Sequence, residues 1–253
     1  MKKILLYLIL LQTFSIHSQE QKITYSIQLS KIKEFDKNEY LKNLNEKAIQ
    51  SAQNLTFTLT ISDSITRFSL DENMEMDNNQ DGRKFAITLT EVLKEIYVKN
   101  NFSYQNNTAG FFDENEYIIE KNIDTNWVLS TETKLIDKKT CYKATTTYYG
   151  INSDRTFQYP VTAWYCPEIP LPYGPAGFGG LPGLILELQK NKVTFGAVKI
   201  NLNSKKKTLT TMPLKGQLIR KEDYDNKVII IAKAIQEENA KRKEESKKAL
   251  KNN

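Results

Sequence analysis

The chain has 253 residues, a formal net charge of +6 and 40% hydrophobic residues, a composition typical of one globular domain with an appendage. Residues 231–253 hold seven Lys or Arg against four Glu, a net charge of +3, and Lys2 and Lys3 at the N-terminus add two more positive charges. The rest of the chain has a net charge of only about +1, which argues against a nucleic-acid-binding body.

Residues 1–18 have the composition of a secretory signal peptide. Lys2 and Lys3 form a basic start, an apolar run follows over residues 4–11, and small polar residues lead to an expected cut before Gln19. The apolar run is too short to span a membrane. We therefore expect export to the periplasm or the outer membrane, with no membrane span once the signal peptide is removed.

The only histidine, His17, lies inside this predicted signal peptide. A mature chain without histidine cannot build a Ser-His-Asp triad, a Cys-His pair or a histidine zinc site. We expect no catalytic residue, no metal site and no cofactor. The remaining enzymatic alternative is a hydrolase that uses carboxylates alone, for which Glu168 and Glu187 are the candidate pair.

The first half of the mature chain alternates between predicted strands and helices. Strands are predicted over residues 22–30, 55–61 and 65–70, the last two as a hairpin. Asp36 is the expected cap of a helix over residues 37–53 with an inner stripe of four residues, namely Tyr40, Leu41, Leu44 and Ala48. Residues 71–82 are predicted to form a polar loop, and residues 85–99 fit either a helix or a strand.

A meander of short strands is expected next. The predicted strands cover residues 102–104, 117–123, 127–129, 134–136, 140–149 and 157–165. The last two bring Cys141 and Cys166 close together if they pair as a long hairpin. Two cysteines on neighbouring strands in an oxidising periplasm most often pair, so we predict a disulfide between them.

Residues 160–183 form the most constrained segment, called here the Pro/Gly stretch. It holds six of the seven prolines, and five of the ten glycines lie between Gly174 and Gly183. Interleaved aromatic side chains indicate a fixed, packed loop rather than a flexible linker. Its last residues, Leu181-Pro182-Gly183-Leu184, fit a type II turn, in which Gly183 supplies the positive φ.

The hexapeptide Gly180-Leu181-Pro182-Gly183-Leu184-Ile185 resembles the signature of the GLPGLI family of Bacteroidetes envelope proteins. Further matching residues lie upstream, namely Trp127, Lys134, Ile136, residues 141–144, residues 163–165, residues 168–170, Gly174 and Pro175. The resemblance implies a secreted, strand-rich domain of unassigned activity and lends no catalytic residue.

The C-terminal part is predicted to contain a hairpin of strands over residues 184–188 and 193–202, followed by a last helix with Asp223 as its cap. We predict one β-rich domain over residues 19–235 and a charged helical or disordered tail over residues 236–253. The fold class is α+β and mainly antiparallel. We expect a curved sheet or half-barrel like that of periplasmic lipoprotein carriers, with an early helix and a C-terminal helix.

These features favour a non-enzymatic envelope protein that binds an apolar small molecule or lipid, or an envelope partner. The candidate binding residues lie in and beside the Pro/Gly stretch, namely Trp164, Tyr165, Tyr173, Phe178, Leu181 and Pro182. The main alternative is an accessory protein of an outer-membrane transporter of the TonB-dependent type.

Overall fold

The computed structural model describes residues 20–62, 65–71, 79–123, 126–152, 155–204, 209 and 211–251. The predicted signal peptide, residues 1–18, lies outside these ranges. No helix within them is both long enough and apolar enough to cross a membrane.

The described chain contains three α-helices and twelve strands, and the strands form one open sheet. The first six strands are β1 (Glu20–Leu29), β2 (Thr56–Ser62), β3 (Ile65–Leu70), β4 (Ile96–Lys99), β5 (Phe102–Asn106) and β6 (Tyr117–Asn122). The other six are β7 (Val128–Ile136), β8 (Lys139–Asn152), β9 (Arg155–Cys166), β10 (Leu184–Lys190), β11 (Val193–Ser204) and β12 (Gln217–Arg220). The helices are α1 (Glu39–Ala52), α2 (Gln80–Thr90) and α3 (Lys221–Lys251).

The strand order across the sheet is β12-β6-β5-β4-β3-β2-β1-β11-β10-β9-β8-β7. Neighbouring strands are antiparallel except for β12 and β6, which are the one parallel pair among the described strands. Most neighbours are also consecutive in sequence, and some are joined by only two residues, as β4 and β5 are. This mainly antiparallel, open sheet with an early and a C-terminal helix confirms the predicted fold class.

A cluster of aromatic rings forms the centre of the core. Tyr25, Phe57, Phe68 and Phe195 come from β1, β2, β3 and β11, and their ring centroids lie 5.5–5.9 Å apart in the contacting pairs. All four side chains are buried, because alternate residues of these strands face the same side of the sheet. Full burial of each such side chain contributes about 1.5–3 kcal/mol.

The cap predicted for α1 was wrong, and of the four residues of its predicted inner stripe only Ala48 is buried. The Asn38 side chain, rather than Asp36, accepts a hydrogen bond from the Leu41 backbone amide at 3.1 Å, and the helix begins at Glu39. Asp36 lies in the preceding 3₁₀ turn. The buried face consists of four small or polar residues, Asn45, Ala48, Ser51 and Ala52, whereas Tyr40 is 72% exposed. Small residues face inward because α1 packs closely against α2.

Residues 85–99, which fit either a helix or a strand, contain both. Helix α2 ends at Thr90 and is followed by Glu91, whose left-handed backbone (φ 58°) stops the helix before β4 begins at Ile96. The helix also takes in residues 80–82, which were predicted to form part of a loop. Asn79 caps it by accepting a hydrogen bond from the Gly82 amide at 3.2 Å.

Helix α3 follows β12 directly and continues to Lys251. It begins at Lys221, so Asp223 lies in its first turn and is not its cap. Tyr224 is buried against Phe112 and Tyr117, which anchors the start of the helix on β6. Most of the second half, where the charged tail was predicted, is exposed helix.

Candidate functional site

The Pro/Gly stretch forms the end of β9 and then a packed loop over residues 167–183, called here the core loop. Backbone hydrogen bonds fix its path, because the Leu184 amide donates to Ile169 O at 2.9 Å and the Ile185 amide donates to Tyr173 O at 3.0 Å. The Gly180 amide donates to Pro172 O at 3.0 Å. These backbone hydrogen bonds tie the loop to itself and to the first residues of β10.

The predicted type II turn at Leu181-Pro182-Gly183-Leu184 was wrong. Gly183 does not have a positive φ, and its amide donates to Leu181 O at 2.8 Å, two residues back. The positive φ of the hexapeptide belongs to Gly180 (φ 80°). Gly183 is needed for a different reason, since a Cβ at this position would lie 2.3 Å from the Cys166 carbonyl oxygen. The two glycines thus have separate roles, one conformational and one steric.

The middle of the core loop crosses the concave side of the sheet. The Trp127 indole N–H donates to Gly179 O at 2.9 Å, and the Trp127 and Phe178 ring centroids lie 6.2 Å apart. At Gly177, a Cβ would lie 3.0 Å from Ile96 of β4 and 3.4 Å from Ser103 of β5. The loop therefore starts at β9 and reaches strands on the far half of the sheet, where it fills much of the concave side.

The six predicted binding residues have different surroundings. Tyr165, Phe178 and Leu181 are buried in the core, Trp164 and Tyr173 are half-buried, and Pro182 is exposed. Trp164 alternates with Tyr165 and so points to the opposite face of β9, where Lys134 Nζ lies 5.4 Å from its ring centroid. Of the six, Phe178 alone lines the central cavity described next.

A cavity of about 370 Å³, called here the central cavity, remains between the core loop and the start of α3. It is lined by residues of strands on both halves of the sheet, which shows that the sheet curls around it. Its apolar lining residues are Leu93, Ile96, Ala109, Ile119, Ile151, Ala176, Phe178 and Val228. Its uncharged polar ones include Thr88, Ser103, Gln105, Thr108, Tyr148, Tyr159 and Tyr224. This volume and mixed lining are typical of small-molecule sites.

Lys190, at the end of β10, is the most deeply buried charged residue in the lining, with 4% of its surface exposed. Its Nζ lies 2.9 Å from Glu91 Oε2, and the Tyr148 hydroxyl donates to the same oxygen at 3.0 Å. Burial and the nearby Glu91 carboxylate raise the pKa of Tyr148 well above its usual value. The Tyr148 hydroxyl therefore stays protonated at neutral pH and acts as a donor to Glu91.

A second lysine, Lys121 of β6, reaches the other side of the same region. Its Nζ lies 4.7 Å from the Tyr148 ring centroid and 5.5 Å from that of Phe178. Distances under about 6 Å are those of cation–π contacts. Lys121 thus connects β6, the strand on which it lies, with Phe178 of the core loop.

The first turn of α3 closes the remaining side. Lys221 Nζ donates to both carboxylate oxygens of Asp225, and both residues line the cavity. Burial raises the pKa of the Asp225 carboxyl, and the hydrogen bond and charge of Lys221 oppose that shift. A more open groove of about 970 Å³ adjoins this wall and is lined mainly by polar residues of β6 and β8.

The sequence did not single out Glu91, Lys121, Tyr148 or Lys190. They come from the end of α2 and from β6, β8 and β10, so no spacing along the chain connects them. A weak signal was present at Lys190, because it ends a strand that begins with three apolar residues, Leu184-Ile185-Leu186.

The two cysteines lie on neighbouring strands but are free thiols in the structure, which therefore does not confirm the predicted disulfide. Because Tyr142 of β8 pairs with Tyr165 of β9, Cys141 and Cys166 occupy the next facing positions. Facing Cβ atoms in such a ladder lie about 4.5–5.5 Å apart, whereas a disulfide uses about 3.5–4.5 Å. Burial and the adjacent Cys166 raise the pKa of the Cys141 thiol to about 12.

We expect the protein recovered from an oxidising compartment to contain the Cys141–Cys166 disulfide. Unfolded in denaturant without reductant, it should give no reaction with a thiol reagent, and after reduction it should give both thiols. Protein made without its first 18 residues in a reducing cytoplasm is the control, and both of its thiols should react once it is unfolded. Two reactive thiols in the exported, unreduced protein would contradict the prediction.

The carboxylates considered for hydrolysis do not converge on the central cavity. Glu187 Oε2 accepts a hydrogen bond from Lys134 Nζ at 2.6 Å, and Glu168 Oε1 accepts one from the Thr140 amide at 3.3 Å. Neither residue lines the cavity. Within the described ranges, no group of three or more Cys, Asp or Glu side chains is placed to hold a metal ion.

Comparison with known proteins gives one family match. The sequence profile of a Bacteroidetes-associated family of unknown function (Porph_ging) matches residues 150–187, which cover β9, the core loop and the start of β10. The hexapeptide lies inside this match. No curated protein matches the chain.

Two solved structures of PNGF-II, one in space group P21 and one in C2, are similar to this fold. The TM-scores are 0.44 and 0.45, with 15% and 14% sequence identity over 83% and 85% of this chain. The chain spans about a third of the length of these PNGF-II chains, since 33% of each is covered. A similarity at this level carries no argument about activity.

Proposed function

We propose that this chain is a non-enzymatic cell-envelope protein of the GLPGLI type that binds a small molecule in its central cavity. The observation that carries the proposal is the cavity itself, which is part-enclosed, about 370 Å³ in volume and lined by apolar walls and several convergent polar groups. The signal-peptide pattern of residues 1–18 supports the location in the envelope.

In this proposal the core loop is the floor of the site. Phe178 is held by Trp127 and Tyr148, whose ring centroids both lie 6.2 Å from its own, and it presents its ring to the cavity. The hexapeptide after it fixes the return of the chain into β10. The loop thereby converts a wide concave face, which would suit a long lipid, into a smaller compartment that suits a compact ligand.

The proposal is tested by native mass spectrometry of the protein purified gently from a bacterial periplasm, with an organic extract of the same sample. We expect a bound small molecule, and we expect the variant Gln105→Trp to lose it. Gln105 lines the cavity from β5, so an indole there would occupy the ligand's space. Gln189→Trp, at an exposed position of β10, is the matched control and should keep the ligand. Equal ligand occupancy in the two variants would contradict the proposal.

A second candidate is an accessory role at an outer-membrane transporter. It is favoured by α3, whose long second half is exposed and which presents Ile230 (67% exposed) and Ile235 (43% exposed) to solvent. Cross-linking in the native envelope distinguishes the two candidates, since the accessory role requires a transporter cross-linked to α3 and the binding role does not.

A further inference from the structure

The hairpin of β8 and β9 extends beyond the strands on either side of it. Strand β7 pairs with β8 only up to Thr145, and β10 pairs with β9 only up to Val161. Strands β8 and β9 nevertheless continue to pair with each other to the end of β8. Residues 146–152 and 155–160 therefore form a two-stranded arm. In the described part of the chain, each strand of this arm has one edge without a neighbouring strand.

The free edge of β9 is blocked against further pairing by Pro160, which pairs with Thr147 of β8. A proline within a sheet directs its nitrogen, which carries no hydrogen, to a free edge, because at a ladder position it would remove a hydrogen bond. Hydrogen-bonding directions alternate along an antiparallel strand. The backbone N–H and C=O groups of Thr147, Tyr149 and Ile151 therefore point away from β9, to the free edge of β8.

This free edge of β8 lacks the features that usually protect a sheet edge, which are charged residues, prolines, bulges and short strands. The outer edge of β7 has a shift in register between Leu129 and Thr133, and β12, at the other end of the sheet, has only four residues. In contrast, residues 147–151 of β8 are Thr-Tyr-Tyr-Gly-Ile, without a charge or a proline. Within the described ranges, no backbone hydrogen bond joins them to a segment other than β9.

The open groove of about 970 Å³ runs along this edge. Its lining includes five consecutive residues of β8, Thr145–Tyr149. A cavity on one face of a strand would be lined by alternate residues, so the consecutive run places the groove beside the strand rather than above it. Val128, the first residue of β7, also lines the groove. The groove therefore lies where β7 would continue along β8.

The lining of the groove suits a polypeptide backbone. Asn101, Asn122 and Asn126 carry amides with both donors and acceptors, and the Thr147 hydroxyl has the same two capacities. Tyr149 is 58% exposed and offers a ring for cross-strand packing. An extended peptide carries backbone donors and acceptors at the spacing of the β8 edge, whereas a compact small molecule cannot match them in series.

We propose that the open groove is a docking site for an extended segment of a partner protein, which adds a short β-strand to the free edge of β8 over Thr147–Ile151. Alternate backbone groups of the segment bond to β8, and a β-branched or aromatic side chain of the segment packs on Tyr149. The groove shares a wall with the central cavity, but the inference does not depend on the proposed small-molecule function.

Peptides selected on the purified protein from a random phage-displayed library provide the probe, and fluorescence anisotropy measures their affinities. Tyr149→Pro removes one outward N–H from the free edge of β8 and should weaken their binding about tenfold or more. Gln158→Pro is the matched control, because Gln158 pairs with Tyr149 and lies exposed on the edge of β9 that Pro160 already blocks. This control should leave the binding unchanged.

An N-methylation scan of the peptides gives an independent readout on the wild-type protein. Each N-methyl group removes one backbone donor of the peptide. In an added strand only alternate N–H groups face β8, so the loss of affinity should recur at every second position. This readout tests the inference even if Tyr149→Pro does not fold, which circular dichroism establishes.

Several results would overturn the inference. Peptides that bind Tyr149→Pro and Gln158→Pro equally well lie elsewhere on the protein, and an N-methylation scan without the alternation excludes an added strand. Loss of the peptides in Gln105→Trp would place them in the central cavity, because Gln105 lines that cavity and not the open groove. A wild-type dimer that Tyr149→Pro dissociates would assign the edge to a second copy of this chain. A library that yields no binder would also contradict the inference.

Discussion

Gly183→Ala is expected to lower the free energy of unfolding by about 3 kcal/mol, near the upper end of the range for overpacked sites. The new methyl group would lie 2.3 Å from the Cys166 carbonyl oxygen and 2.8 Å from Pro167 N. Both atoms belong to the backbone, and Leu184 pairs with Cys166 in the sheet, so no flexible side chain can move aside. Urea unfolding followed by the fluorescence of Trp127 and Trp164 measures the change.

Gly196→Ala is the matched control for this substitution. Gly196 lies within β11, and a Cβ built on it meets no atom within 4 Å. Because alanine restricts the unfolded chain more than glycine does, the control should be neutral or more stable by up to about 1 kcal/mol. If Gly183→Ala were as stable as this control, the close approach at the hexapeptide would not be a constraint in solution.

The strands were largely predictable because their signal is local. The alternation over residues 55–61 and 65–70 corresponds to the hairpin of β2 and β3, and that after Leu184 corresponds to the hairpin of β10 and β11. In each case a short turn leaves the chain only one nearby partner with which to pair its backbone groups. The antiparallel character of the sheet follows from such hairpins.

The helix ends were less predictable because several residues compete for the same role. Asp36 and Asn38 both have side chains of the type that caps helices. Asn38 is the cap because residues 33–37 form a 3₁₀ turn, so that Asn38 comes directly before the first residue of the helix. The buried face of α1 was predicted correctly only at Ala48, for a related reason. Its stripe consists of Ala, Ser and Asn, which a search for large apolar residues does not find.

The candidate site was not predictable from spacing, since its contacts are long-range. Lys190 and Glu91 are 99 positions apart, and Tyr148 and Glu91 are 57 apart. The Pro/Gly stretch was correctly predicted to be a packed loop, but its aromatic residues were all treated as one surface. In the structure Trp164 and Phe178 lie in different environments, because alternation along β9 turns Trp164 away from the concave face that the core loop crosses.

Phe178→Ala is expected to have the largest effect of the substitutions considered, about 3–5 kcal/mol of lost stability. The side chain is buried and contacts Trp127, Tyr148 and the Lys121 ammonium group. Removing the ring would leave a void beside the central cavity and would take away one of the two rings next to Lys121. The same substitution should lower the ligand occupancy seen by native mass spectrometry, since the floor of the cavity would recede from the ligand.

Two further variants separate the loss of the ring from a general loss of hydrophobic area. Phe178→Leu keeps most of the volume and should cost less than about 1.5 kcal/mol while losing the cation–π contact with Lys121. Phe157→Ala removes a phenylalanine that is 38% exposed on β9, and it should cost about 1 kcal/mol or less. A Phe178→Ala variant as stable as Phe157→Ala would mean that the core loop does not pack on the sheet, and the central cavity would then lack the floor on which the proposed binding function depends.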